Sequence, residues 1–447
     1  MMHARLIVVA LMGLVCGACT SVQRPETSAS TIYEVNVRQY TEAGTFDAFR
    51  SHLPRLADLG VEILWLMPIH PIGEEQRKGT LGSYYSVQDF KGINPEFGDE
   101  ASFQALVDAA HAHGMLVILD WVANHTAWDN TWTITHPERF TRDDGGRLVP
   151  PVREWSDVVD LDYDAPGTVE AMRDAMRYWV ETYGVDGFRC DVAEMVPQGF
   201  WEDTIPVLRK AGATFMLAEG HSDWLYDVGF DATYSWAVPD AVLRAASGED
   251  DATGVRRAIE EDLLALKQRT DGLGTRMLFT TNHDWNSWNG VALERLGPAW
   301  PGATVLTFMA PGVPLLYSGQ EAGLDAQLAF FEKDEIEWRR HEAAVLYRQL
   351  IHLKRSEEAL RHGASAGSTE LLGLGADDQV IALRRMSGTS DVLALVNLSP
   401  RSTSIDAVPV DPDAVYIDLD GFPAKPPTWL GPWDWVVLRR VPASAGE

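Results

Sequence analysis

The stretch Gly187-Phe188-Arg189-Cys190-Asp191 decides the fold prediction. Residues 185–188 are mostly apolar or small and predict a short buried strand that ends on an arginine and an aspartate. Arg189 and Asp191 are two residues apart, so both side chains point to one face of an extended strand. A guanidinium at this range lowers the pKa of the carboxyl and favours its ionised form. Asp191 is therefore a candidate nucleophile, although a structural ion pair explains an isolated Arg-x-Asp pair more simply.

The length and composition describe a large globular protein. With 447 residues, of which 46% are hydrophobic and 23% are charged, the chain can bury a sizeable core and should exceed one domain. The net charge of −28 argues against nucleic acid or an anionic membrane surface as a partner, because both need a basic patch. The 16 tryptophans suit stacking on sugar rings, although core packing accounts for most tryptophans in proteins.

The N-terminal residues predict export. Arg5 precedes an apolar run over 6–15, and small residues follow it, which is the layout of a secretory signal peptide over 1–18. Cys19 comes next and resembles the lipidated cysteine of bacterial lipoproteins, although Cys16 stands where that motif usually has leucine. We expect a periplasmic or cell-surface lipoprotein that contacts the membrane only through a lipid on Cys19, with 19–30 as a flexible tether. Without lipidation, we expect a secreted protein.

From residue 31 the chain alternates short apolar runs with helical patterns, which is typical of βα units and a parallel sheet. The predicted strands are 32–37, 61–66, 115–119, 185–188, 214–218, 229–234, 276–279 and 312–317, and one predicted helix spans 46–59. Eight such units predict an α/β fold, a (β/α)8 TIM barrel over 31–125 and 169–360, with a subdomain at 126–168 inserted after strand three. Residues 361–447 have short strands without long helices and predict a C-terminal antiparallel β-sandwich.

Ionisable residues follow the predicted strands at their carboxyl ends, where barrel enzymes have their active sites. Asp191, Glu219 and Asp284 follow strands four, five and seven, so we expect three carboxylates to converge at the barrel mouth. Partial desolvation after the apolar run 214–218 would keep Glu219 protonated, whereas Asp191 beside Arg189 would stay ionised. One protonated and one ionised carboxylate are what glycoside hydrolysis requires. The alternative is a metal–carboxylate site, which would need more closely grouped ligands.

Several motifs, in chain order, resemble the signature regions of the α-amylase family, glycoside hydrolase family 13. The main motifs are 120–125 (DWVANH), 187–191 (GFRCD), Glu219 and 282–284 (NHD). The supporting motifs are 66–71 (LMPIHP), 82–85 (GSYY) with 94–95 (NP), and 312–321 (GVPLLYSGQE). Each motif alone is weak, but together they cover the chain from about residue 32 to about residue 354.

This resemblance implies a retaining glycoside hydrolase that cleaves α-1,4-glucosidic bonds in starch, maltodextrin or maltooligosaccharides. Asp191 would attack the anomeric carbon, Glu219 would protonate the leaving oxygen and later activate water, and Asp284 would hold substrate hydroxyls. Arg189 would orient the nucleophile. The remaining matches are substrate contacts, with His125 and His283 hydrogen-bonding the sugar and Tyr85 stacking under it.

The family often carries a structural calcium ion between barrel and insertion, and no organic cofactor is expected. Asn124 and Asp160 match two of its ligands, and the backbone carbonyl of Met195 would supply a third, although the two side chains could simply cap turns. The α-amylases commonly have Lys-His after the nucleophile, where this chain has Glu194 and Met195. That departure puts the contacts to the leaving-group sugars in doubt.

Other activities share these motifs. An α-glucosidase, an α-1,6-acting enzyme and a transglycosylase remain open, and Val192, directly after the nucleophile, also occurs in α-1,6-acting members. Outside the enzymes, the alternative is a catalytically silent barrel that binds glycan. The presence of all three carboxylates disfavours that alternative. The expected partner is an α-glucan, and the sequence does not indicate an oligomeric state.

Overall fold

The computed structural model describes residues 27–269, 274–376 and 378–441. The predicted signal peptide, Cys19 and the first part of the predicted tether lie outside these residues. Among the residues described, no helix combines the length and the apolar content that a membrane crossing needs.

The end of the predicted tether is not a flexible linker. Thr27–Ala29 forms a turn of 3-10 helix, and the N–H of His362 donates to the carbonyl of Ser28 at 2.7 Å. Ser30 is fully buried next to the first strand. The tether prediction is therefore wrong for residues 27–30, because these contacts fix them to the folded chain.

Eight parallel strands close into the predicted barrel. The strands are β1 (Ile32–Val35), β2 (Ile63–Leu66), β3 (Leu116–Trp121), β4 (Gly187–Cys190), β5 (Phe215–Ala218), β6 (Ala232–Tyr234), β7 (Thr275–Leu278) and β8 (Val313–Tyr317). Each strand pairs with the next one along the chain, and β8 pairs with β1 to close the barrel. Both faces of every strand are buried, since the interior is filled by side chains such as Ile63, Ile118 and Leu315 and the outside is covered by helices. This double burial explains why the strands read as apolar runs without alternation.

Helices on the outside connect the strands. They span Glu100–Ala112, Thr168–Tyr183, Gln198–Ala211, Ala237–Ser247, Ala252–Arg269, Ala292–Leu296, Trp300–Met309 and Glu342–Ser356. The single helix predicted over 46–59 is wrong. Two helices, Phe46–Arg50 and Leu53–Leu59, replace it, because Pro54 has no N–H to donate and suits only the first turn of a helix.

The insertion after β3 is a small subdomain on the rim of the barrel. His125–Ala127 pairs antiparallel with Val158–Asp160, and a short helix, Thr131–Thr135, lies between them in sequence. This hairpin-like pairing holds the chain above the carboxyl end of β3. It thereby carries His125 over the barrel mouth.

The C-terminal domain is an antiparallel sheet, as predicted. Its strands are β9 (Ser368–Leu371), β10 (Val380–Ser387), β11 (Ser390–Asn397), β12 (Tyr416–Ile417), β13 (Pro423–Ala424) and β14 (Trp435–Arg440), in the order β9-β10-β11-β14-β12-β13. The second layer of the predicted sandwich is only a two-stranded sheet, Thr403–Ser404 with Trp429–Leu430, together with loops. The other face packs on the barrel, where a Cβ on Gly302 would lie 2.7 Å from Val396.

Candidate active site

Arg189, on β4, is the fully buried centre of the site. Its Nη1 donates to Asp120 Oδ1 and to Asp191 Oδ1, both at 2.9 Å. Its Nη2 forms an ion pair with Glu219 Oε2 at 3.0 Å, and its Nε donates to the hydroxyl of Tyr234 at 3.1 Å. One guanidinium from β4 thus gathers polar groups from β3, β5 and β6.

The carboxyl of Asp191 has a pKa well above its ordinary value. Burial disfavours its charge, and the negative charge of Glu219 raises the pKa further. Arg189 opposes this rise but does not outweigh it, because the same guanidinium also faces Asp120 and Glu219. Arg189 does lower the pKa of Asp191, as predicted, but the expectation that the pKa is lowered overall and keeps Asp191 ionised is wrong. Burial and the neighbouring negative charge therefore favour the protonated form of Asp191.

Glu219 directly follows β5 and is hydrogen-bonded to the turn after Asp191. Its Oε2 accepts the N–H of Val192 at 2.8 Å, and its carbonyl accepts the N–H of Ala193 at 3.0 Å. Val192 has φ 36°, in the left-handed region that β-branched residues rarely adopt, which costs about 1–3 kcal/mol. The strained turn therefore aims a backbone donor at the second carboxylate.

Glu194 is a site residue to which the sequence analysis gave no role. Its Oε1 accepts the N–H groups of His221 at 2.9 Å and Ser222 at 2.6 Å, in the loop that follows Glu219. Burial would raise the pKa of Glu194, but these hydrogen bonds outweigh it and lower the pKa. An ionised Glu194 therefore holds the loop that carries Glu219.

The pKa values of the two histidines of the site are shifted in opposite directions. His283 Nδ1 lies 2.5 Å from Glu34 Oε1, and its Nε2 lies 2.7 Å from the hydroxyl of Tyr85 and 3.4 Å from Asp284 Oδ2. Burial alone would lower the pKa of His283, but Asp284 and Glu34 raise it to about 9. Burial lowers the pKa of His125 to about 3. At neutral pH, His283 is therefore a cation and His125 is neutral.

A cavity of about 340 Å³ opens above these groups. Its lining includes six predicted catalytic or substrate-binding residues: Tyr85, His125, Asp191, Glu219, His283 and Asp284. Arg189, the seventh, contacts Asp191 and Glu219 from beneath. Aromatic rings form much of the wall, and the ring of Phe330 lies nearly parallel to that of Tyr85 at 6.0 Å. The structure thus brings all seven residues together around one cavity, although their individual roles stay predictions.

The comparisons with known proteins agree with this geometry. The family model for the α-amylase catalytic domain matches residues 27–144 and 153–216. Among solved structures, an α-amylase from Lactobacillus plantarum is 33% identical, with a TM-score of 0.81, and the match covers 93% of this chain and 99% of that one. The chain belongs to the α-amylase family.

Two curated relatives in this family match over parts of their length. The α-amylase MalA of Haloarcula japonica is 25% identical over 87% of this chain and 59% of its own length. The α-1,4-glucan:maltose-1-phosphate maltosyltransferase of Cereibacter sphaeroides is 37% identical over 48% of this chain and 36% of its own. The chain thus spans less than two thirds of the length of either relative.

Further buried groups in this α-amylase-family site were not predicted as site residues. Asp120 Oδ2 accepts from Trp65 Nε1 at 3.1 Å and from the hydroxyl of Tyr85 at 2.9 Å. Glu34 stands in an apolar strand, and Asp120 is the next-to-last residue of another. A lone charged residue within such a run was the sequence signal that could have identified both. The roles of Trp65 and Tyr234 had no such signal, because aromatic residues are common in barrel cores.

Two of the predicted calcium ligands, Asn124 and Asp160, lie at the base of the insertion, and the third, Met195, lies in the 3-10 turn Ala193–Met195 after β4. The carbonyl of Asn124 accepts the N–H of Leu161 at 3.2 Å, which places Asn124 beside Asp160. The Asp160 carboxyl accepts from the hydroxyl of Thr141 at 2.6 Å, and burial raises its pKa. Within the described residues, no three His, Cys, Asp or Glu side chains form a group that could hold a metal. Calcium takes about six to eight oxygen ligands, so Asn124 and Asp160 would need several further oxygen donors.

Proposed function

We propose that this protein is a retaining glycoside hydrolase that cleaves α-1,4-glucosidic bonds in starch, maltodextrin or maltooligosaccharides. The observation that carries the proposal is the pair Asp191 and Glu219, bridged by one guanidinium at 2.9 and 3.0 Å. Retaining enzymes hold their two carboxyl groups roughly 5–5.5 Å apart, and two carboxyl groups held by one guanidinium are close enough to allow that arrangement. Membership in the α-amylase family supports the same chemistry.

The first step needs an ionised Asp191 and a protonated Glu219. Arg189 holds Oδ1 of Asp191, so Oδ2 attacks the anomeric carbon as the glycosidic bond breaks and the leaving oxygen takes the proton of Glu219. In the second step Glu219 takes a proton from water. The water oxygen bonds to the anomeric carbon, and Asp191 departs as a carboxylate.

The other residues stabilise the sugar while positive charge develops on it. Asp284 presents a partly exposed carboxylate to the cavity, and the negative charge favours an oxocarbenium-like transition state. Charged His283 donates to the Tyr85 hydroxyl, which in turn donates to Asp120, so the ring of Tyr85 is fixed below the sugar. This network supplies orientation without taking part in bond making.

The test is a product time course on amylose, pullulan and maltotriose, with the anomer of the first product followed by NMR. We expect the first products from amylose to have α configuration. Asp191→Asn should abolish turnover, whereas the control Asp203→Asn, on the exposed face of helix Gln198–Ala211, should leave it unchanged. Products of β configuration would overturn the retaining proposal. Action confined to pullulan would move the specificity to α-1,6 bonds, and binding without turnover would favour the silent barrel.

A transfer reaction is the second candidate, because one relative is named a maltosyltransferase. Both reactions share the glycosyl-enzyme step and differ in whether water or a sugar hydroxyl attacks it. Incubation with maltose 1-phosphate and a maltooligosaccharide acceptor separates them. Chain lengthening would favour the transferase, and release of maltose alone would favour the hydrolase.

We also propose that Cys19 carries a lipid, which rests on the sequence motif alone. Radiolabelled palmitate should enter the protein in a bacterial host and should not enter Cys19→Ser. Calcium binding likewise stays a prediction. If calcium is bound, EDTA should lower the melting temperature and added calcium should reverse the decrease, whereas an unchanged melting temperature would contradict the calcium prediction.

A further inference from the structure

Three sets of contacts, which we call ties, join the loops above the barrel into a continuous wall on one side of the cavity. The first tie joins the loop after β2 to the insertion. Lys78 Nζ lies 2.7 Å from Asp157 Oδ1 and donates to the carbonyl of Glu154 at 2.9 Å. Asp157 is buried, and the hydroxyl of Ser86 donates to its carbonyl at 3.0 Å. This ion pair is therefore a fixed part of the cavity lining.

The second tie joins the loop after β2 to the loop after β8. The N–H of Thr80 donates to Glu332 Oε1 at 2.8 Å, and its hydroxyl donates to the other carboxylate oxygen. The N–H of Leu81 donates to the carbonyl of Phe331 at 3.1 Å. Gly79, which precedes Thr80, has φ +64°, and a Cβ there would lie 2.5 Å from Cβ of Phe331. The two loops are therefore in direct backbone contact.

The third tie joins the loop after β8 to the turn after β7. Asn286 Oδ1 accepts the N–H of Leu328 at 2.9 Å, and its Nδ2 donates to the carbonyl of Ala326 at 3.0 Å. The rings of Trp288 and Phe330 lie 5.1 Å apart. The wall thus runs without a break from the insertion, past β2 and β8, to β7.

The positions of the reacting groups show which sugars face this wall. Glu219 protonates the leaving oxygen in the proposed mechanism, so the leaving sugars lie beside β5. There the rim carries His221, whose side chain is 72% exposed. The sugar attached to Asp191 lies toward Tyr85 and His283 instead, and Phe330 closes that end by lying against Tyr85.

We infer that the cavity takes the non-reducing end of an α-glucan and that the protein is an exo-acting enzyme that releases glucose or maltose. A chain that continued past the bound sugar would run into the wall formed by Lys78, Phe330 and Phe331. The specificity-determining contacts are the Lys78–Asp157 ion pair and the Thr80–Glu332 hydrogen bonds, because they close the wall. This inference rests on the proposed function, since it uses the roles of Asp191 and Glu219.

The test compares two p-nitrophenyl maltoheptaosides, one with a free non-reducing end and one with that end blocked by an ethylidene group. We expect the wild-type protein to cleave the blocked substrate with a kcat/KM roughly tenfold or more below that of the free one. Lys78→Met and Thr80→Val should each raise the ratio of blocked to free cleavage. The control Lys210→Met, at the exposed end of helix Gln198–Ala211, should leave the ratio unchanged.

The outcomes separate this inference from the proposed function. Equal cleavage of both substrates by the wild type would overturn exo action and leave the hydrolase proposal standing. No cleavage of either substrate would overturn the hydrolase proposal itself. If the wild type prefers the free end but neither Lys78→Met nor Thr80→Val reduces this preference, the assignment of specificity to these two sets of contacts is wrong. Thermal melts show whether each variant is folded.

Discussion

Asp191 and Glu219 share one guanidinium, with Arg189 Nη1 2.9 Å from the aspartate and Nη2 3.0 Å from the glutamate. Asp120 lies 2.9 Å from the same Nη1. Three carboxyl groups thus surround one positive charge in a buried site, which explains why burial and Glu219 together outweigh Arg189 at Asp191. Burial and the neighbouring carboxylates therefore favour the protonated form of Asp191.

The raised pKa of Asp191 predicts the acidic limb of the pH profile. Catalysis needs the ionised aspartate, so kcat/KM should fall as the pH decreases through this pKa, well above the ordinary value of about 3.9. Glu219→Gln removes the neighbouring negative charge and should move the limb to lower pH. The measurement is the burst of fluoride from α-maltosyl fluoride, whose leaving group needs no proton. An unmoved limb in this variant would show that Glu219 does not act on Asp191.

Substitution of Glu194 should impair protonation of the leaving group by Glu219 more than the attack by Asp191. Glu194→Ala removes the acceptor of two backbone N–H groups and should displace the Glu219 loop, which lowers kcat on maltooligosaccharides by up to roughly 100-fold with little change in KM. Glu194→Gln keeps an acceptor oxygen and should restore most of the rate. Formation of the glycosyl-enzyme from α-maltosyl fluoride should be far less affected, because that step does not use the acid. An equal loss on both substrates would indicate general structural damage instead.

The carboxylates of Asp284 and Glu34 predict that His283 titrates at an unusually high pH. Its pKa of about 9 means that the charged form, and the contacts it stabilises, persist through neutral pH and are lost as the pH rises through that value. Glu34→Gln removes one of the two negative charges and should lower this pKa. NMR of 13C-labelled histidine measures the pKa of His283 in the wild type and in Glu34→Gln. Buried His125 should not titrate between pH 5 and 10. A His283 signal that titrates near 6.5 would contradict the prediction.

The sequence predicted the barrel because both faces of its strands are buried. Each strand is a short apolar run, and the polar residue that follows marks the carboxyl end, so Asp191, Glu219 and Asp284 could be placed at the mouth before their geometry was known. The break in the helix predicted over 46–59 was also readable, since Pro54 stands inside it.

Contacts and pKa shifts that depend on distant segments of the chain could not be predicted from the pattern of apolar and polar residues. The pKa of Asp191 depends on Asp120 and Glu219, whose distances follow only from strand pairing. The contact of His283 with Glu34 joins the end of β7 to β1 across the barrel mouth. The ties of the cavity wall join loops from β2, β8 and the insertion, and loops have no periodic pattern that indicates their partners.

Substitution of Gly187, the first residue of the stretch 187–191, should lower the stability of the barrel. It has φ +150°, and a Cβ there would lie 1.8 Å from the carbonyl oxygen of Phe215 on the neighbouring strand. Gly187→Ala should therefore push β4 from β5 and lower the free energy of unfolding by about 3 kcal/mol or more, as urea denaturation measures. The control is Gly146→Ala, since Gly146 also has positive φ, +78°, but no atom within 4 Å of the added Cβ. The control should cost only the backbone strain, about 1 kcal/mol. If both variants lose the same stability, the strands tolerate the added methyl, and the close approach does not constrain the barrel.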